Sequence, residues 1–124
     1  MAARDVVGEA IRQAKAKGRP ALVAYITAGF PKRETFGELL KSVCAAADVV
    51  EVGVPFTDPM ADGTTIQRSS RAALEQGVTL RWIFEELRTF YEQRAQGGTP
   101  LLLMSYLNPL LAFGFVRLPQ EQAA

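Results

Sequence analysis

The sequence contains no histidine. Imidazole is therefore unavailable as base, acid or metal ligand, which removes the Ser-His-Asp and Cys-His schemes. A single cysteine, Cys44, excludes an internal disulfide and a thiolate zinc site. No apolar run approaches the roughly 20 residues that span a bilayer. The N-terminal MAARDVVGEAIRQAKAKG is of mixed charge and has no signal-peptide core. Neither G-x-G-x-x-G nor G-x-x-x-x-G-K-[ST] occurs, so the common nucleotide-phosphate loops have no candidate. The formal net charge is +1, which gives a nucleic-acid partner no electrostatic footing. These absences set the expectation of a cytoplasmic protein without metal or membrane. Its acid–base work falls to Asp, Glu, Lys, Tyr or water.

What is present is a well-patterned chain of 124 residues, 48% hydrophobic and 22% charged, enough for one domain over residues 1–124 with a buried core. Val7, Ala10, Ile11 and Ala14 mark one helical face, and Gly18 and Pro20 end that helix. Residues 21–27 read as a buried strand, and Gly29 and Pro31 as a turn. Phe36, Leu39, Leu40, Val43 and Cys44 predict a half-buried helix, and Asp48 to Val54 a second strand. A helix from about Thr65 to Gln76 is closed by Gly77. Thr79 caps the next, whose face is Leu80, Ile83, Phe84, Leu87, Phe90 and Tyr91. Residues 100–108 predict a third buried strand. Apolar strands alternating with amphipathic helices imply parallel strands covered on both faces. An open doubly wound sheet and part of a (β/α)₈ barrel both satisfy this order. Both carry function at the C-terminal ends of their strands.

The second strand is unusual in holding Glu51 among valines. Strand alternation puts Glu51 on one face with Val49 and Gly53, and turns Val50, Val52 and Val54 toward the helices. Apolar surroundings would raise the pKa of this carboxyl, as a general acid near neutral pH requires. A structural ion pair explains a buried Glu equally well. The following loop carries Asp58 and Asp62 and is longer than most strand-to-helix connections. Asp-Pro and Asp-Gly are also ordinary turn formers. Tyr25 and Thr27 share parity near the end of the first strand. Met104, Tyr106 and Asn108 do so on the third, predicting a pocket around Glu51 for a flat, mostly apolar ligand.

The stretch EVGVPFTDPMADGTTIQ closely resembles the signature of the tryptophan synthase alpha chain family. YITAGFP and LLLMSYLNPLLAFG resemble two further stretches of that family, in order and spacing. The resemblance implies a (β/α)₈ TIM barrel. It also implies a lyase of tryptophan biosynthesis that cleaves indole-3-glycerol phosphate to indole and glyceraldehyde 3-phosphate by a retro-aldol reaction. On matching positions, Glu51 is the acid/base glutamate and Asp62 the carboxylate that meets the indole N–H. Tyr25, Met104 and Tyr106 line the indole pocket, and Asp58 faces a beta chain in an alpha2-beta2 type assembly. No cofactor is implied for this chain, pyridoxal phosphate belonging to the beta chain. Thr64 stands where the family usually has Pro. Such a barrel takes about 250 residues, and three strands are read here. The expectation is therefore a truncated part-barrel, weakly active or inactive alone, whose phosphate site is missing or supplied by another chain. The alternative is a non-catalytic fragment that binds the beta chain or itself.

Overall fold

The structure, a computed structural model, describes residues 3–94 and 97–114. Its elements run α1 (Ala3–Ala16), β1 (Val23–Thr27), a 3₁₀ turn (Arg33–Thr35), α2 (Phe36–Ala46), β2 (Val49–Gly53), α3 (Thr64–Glu75), α4 (Leu80–Gln93), β3 (Leu101–Met104) and α5 (Leu107–Phe113). The three strands form one parallel sheet in the order β1-β2-β3. The punctuation residues act as their chemistry requires. Gly77 follows α3 at φ +81°, a left-handed conformation that glycine enters without a Cβ penalty. The Thr79 hydroxyl accepts the Trp82 N–H at 3.1 Å and caps α4.

The core lies on one face of the sheet. Val50 and Val52 of β2 are fully buried against Phe36 and Leu40 of α2, Ala73 of α3 and Ile83 of α4. Leu101 and Leu103 of β3 and Ile26 of β1 pack onto the same cluster. Val50, Val52 and Val54 thus point where strand alternation puts them. Below the sheet, the Arg19 guanidinium binds both Asp48 oxygens at 2.7 and 2.8 Å, and Leu22 N–H donates to Asp48 at 2.7 Å. The hydrogen bond from Arg19, aided by that from Leu22, holds the Asp48 carboxyl well below the usual carboxylate range.

Two expectations are corrected. The third strand does not run from 100 to 108. It stops at Met104, Tyr106 becomes the N-cap of α5, and Asn108 lies in that helix. The run is apolar throughout, so its period alone does not separate strand from helix. Pro109 sits in the first helical turn, where its missing N–H costs nothing. Nor is the sheet covered throughout on both faces: opposite the helices, Val49 at the start of β2 is fully buried, but most of that face is open. Val23, Leu102 and Met104, on the face opposite the helices, are 46%, 39% and 54% exposed. In a barrel the crossover helices all lie outside, and the inner face is covered by opposing strands. Three strands do not curl round far enough to cover themselves.

Candidate active site

The register sets the cleft. Tyr25, Glu51 and Leu102 stand in one row across the sheet, with Gly53 and Met104 in the next row toward the strand ends. Glu51 is half-buried, and its open side lacks the apolar enclosure expected from its valine neighbours. Tyr25 leans across β2 rather than standing over its own strand. A Cβ built at Gly53 would overlap the Tyr25 hydroxyl and ring edge, so the site needs glycine there. The space above Gly53 is filled by this phenol.

The β2–α3 loop brings the second carboxylate. Val54 N–H donates to the Met104 carbonyl at 2.8 Å, fixing the loop's start to β3. The Phe56 ring packs on Tyr106, centroids 5.2 Å apart. Ala61 N–H donates to the Tyr106 hydroxyl at 2.8 Å, and Gln67 Nε2 donates to the Asp62 carbonyl at 2.8 Å. Glu51, Asp62, Tyr25, Met104 and Tyr106 consequently line one cleft of about 450 Å³, together with Val54, Ala61, Ile66 and Ser105. Tyr106 arrives from a helix N-cap rather than by strand parity. Asn108 does not arrive: it borders a separate hollow with Pro55, Thr79 and Leu80. Asp58 is exposed on the loop, outside the cleft.

Burial pushes the Tyr25 phenol above its ordinary pKa. The nearby Asp62 and Glu51 carboxylates add to the rise, and a hydrogen bond from Thr27 (3.4 Å) opposes it. Tyr25 is therefore a neutral hydroxyl at physiological pH. Thr27 also shares a 2.6 Å hydrogen bond with Ser69 of α3, tying β1 to the helix that follows the loop. Two carboxyl groups, a neutral phenol and apolar walls can move protons on a flat ligand. No Lys or Arg among the described residues lines this cleft. Among the described residues, no group of three His, Cys, Asp or Glu could hold a metal ion. None of their helices is long and apolar enough to cross a membrane.

A larger groove, about 550 Å³, lies between α2 and α4 on the far side of the sheet. Its lining sets Glu34, Glu38, Glu86, Lys41 and Arg94 around apolar groups. Cys44 is half-buried there, and burial pushes its thiol up, away from the reactive thiolate. The tethers of the loop, Gln67 and the Ala61 N–H, went unread in the sequence. A backbone donor carries no residue-type signal, and Gln67 looks like any surface residue of a helix.

Residues 11–124 match the family described as tryptophan synthase alpha chain. The chain is 50% identical over 114 residues to the tryptophan synthase alpha chain of Nitratidesulfovibrio vulgaris, covering 91% of this chain and 43% of that one. It is 43% identical over 115 residues to that of Deinococcus radiodurans, covering 90% and 42%. The fold matches tryptophan synthase subunit alpha from Legionella pneumophila with a TM-score of 0.84 at 35% identity, over 94% of this chain and 44% of that one. It matches tryptophan synthase from M. tuberculosis in an aminoacrylate-bound form equally well, TM-score 0.84 at 29% identity, over 95% and 47%. The chain spans under half the length of these relatives.

Proposed function

This chain belongs to the tryptophan synthase alpha chain family, its three strands forming part of a (β/α)₈ barrel, and we propose that its cleft serves the family's lyase reaction. The reaction is cleavage of indole-3-glycerol phosphate to indole and glyceraldehyde 3-phosphate. The observation that carries the reading is the convergence of Glu51 and Asp62 on one cleft walled by Tyr25, Met104 and Tyr106. Glu51, as the carboxylic acid, protonates the indole ring carbon that bears the glycerol chain. Positive charge then resides on the ring nitrogen, where the Asp62 carboxylate accepts the N–H hydrogen bond and stabilises it. The carbon–carbon bond breaks and its electrons return to the ring. The adjacent hydroxyl becomes the aldehyde, and its proton goes to the Glu51 carboxylate, which is thereby reset. Tyr25, Met104 and Tyr106 hold the indole plane.

Among the described residues the cleft offers no cationic side chain to a phosphate, so we expect slow turnover by this chain at millimolar substrate. Indole release is measured, with Glu51→Gln as control. The expected loss is about a hundredfold or more, the range of a general acid. Release that persists in Glu51→Gln would remove the reading.

The exposed sheet face at Val23, Leu102 and Met104 favours a second, compatible role in association. In that role the chain docks on a beta chain, with the exposed Asp58 on the partner side, or on itself. No cofactor is assigned to this chain, pyridoxal phosphate lying with the beta chain, and the setting is cytoplasmic. Light scattering across a concentration series tests self-association; a monomer at every concentration would count against it.

A further inference from the structure

The loop that carries Asp62 is largely exposed. Met60 is 92% exposed, and Thr57, Asp58 and Gly63 also face solvent. A carboxylate on such a loop would sample many orientations, and catalytic geometry degrades steeply when a group is misplaced by about 1 Å. Yet the two residues that matter are pinned from two sides. The Tyr106 hydroxyl accepts the Ala61 N–H at 2.8 Å, just before Asp62. Gln67 Nε2 donates to the Asp62 carbonyl at 2.8 Å, just after its Cα. The two anchors come from different elements, the cap of α5 and the first turns of α3. Each is itself held: the Tyr106 ring packs on Phe56, and Gln67 N–H bonds to the Gly63 carbonyl at 3.0 Å.

We infer that Tyr106 and Gln67 form a two-sided clamp on the Asp62 backbone and are positioning residues that aim its carboxylate into the cleft. This deepens the proposed function and rests on it, because the aim matters only where Asp62 meets an indole N–H. The clamp gives Tyr106 a task beyond walling the pocket. Its oxygen is spent as an acceptor from the loop, so its own O–H hydrogen is left to point elsewhere. Gln67, outside the cleft lining, acquires a role through Asp62 alone.

The test needs no turnover. Indole and benzofuran share an outline, but benzofuran has an oxygen in place of the N–H. Affinities of both for the full chain are measured by NMR titration. The readout is their ratio, which cancels any general loss of fold or pocket shape. The unaltered chain is expected to bind indole about tenfold more tightly, the scale of a hydrogen bond to a carboxylate. Tyr106→Phe is expected to bring the ratio to within about twofold, and Gln67→Met to within about fourfold. A full preference retained in Tyr106→Phe overturns the clamp. If Tyr106→Phe fails to fold by circular dichroism, Gln67→Met decides by the same criterion. Equal binding of both ligands by the unaltered chain overturns the Asp62 reading, and the clamp's purpose with it. The two failures are thus told apart by which protein shows them.

Discussion

The two faces of the same three strands have opposite characters. On the helix side, Val50 and Val52 are fully buried in a cluster of apolar residues from α2, α3 and α4. On the other, beyond a fully buried Val49, the same strands present Glu51, Tyr25 and the part-exposed Val23, Leu102 and Met104. One residue of register separates the two, since alternate side chains leave opposite sides of a strand. The helix face supplies stability. The cleft face gives up packing to place carboxyl groups, and holds them with hydrogen bonds instead.

The contrast breaks most visibly under truncation of apolar side chains. Leu40→Ala, behind the helix face, is expected to cost about 2–5 kcal/mol, whereas Leu102→Ala on the cleft face costs under about 1 kcal/mol. Equal losses in thermal melting would show that the cleft face is covered in solution. Gly53→Ala is next. Its methyl group meets the Tyr25 ring, and overpacking of this kind costs about 1–3 kcal/mol. In a Tyr25→Ala background most of that cost should vanish, which a double-mutant cycle measures.

A smaller effect belongs to neither face. Asp48 is held low by Arg19 and Leu22 in the folded chain, so the unfolded chain binds its proton first as pH falls. This stabilisation is complete well above the unfolded value of about 3.9 and is lost as pH drops below it. The melting temperature should therefore decline from about pH 5 to pH 2, and Asp48→Asn should flatten part of that decline. Smallest is Thr64→Pro. Thr64 is the first residue of α3, where proline's fixed φ is favourable, so a gain of about 0.5 kcal/mol is expected by denaturant titration.

Much of this was legible from residue type and spacing. The valines around Glu51 fixed which way its strand faces, and the helix periods placed α2 and α4. Both carboxylates of the cleft were readable as acids at a strand end and in the loop behind it. Residues 105–108 were misread because an apolar run obeys either period, and only tertiary packing decides where β3 becomes α5. Tyr106 reached the cleft by a route that parity did not describe. The Arg19–Asp48 pair joins residues 29 apart, and the Ala61 amide is held by a side chain 45 residues away. Such pairings appear only once the chain is folded.

Trp82 is the chain's one tryptophan, and it packs against the Phe36 ring at 5.9 Å with the Arg33 guanidinium 5.4 Å from its own centroid. It belongs to the helix layer and borders no part of the cleft. Its emission is therefore an optical gauge of one side of the sheet alone. Unfolding will change it, while a ligand seated between Glu51 and Asp62 will not. A Trp82 signal that moves when the cleft is filled by a ligand that neither absorbs nor emits in the tryptophan range would report that the two sides communicate through the strands.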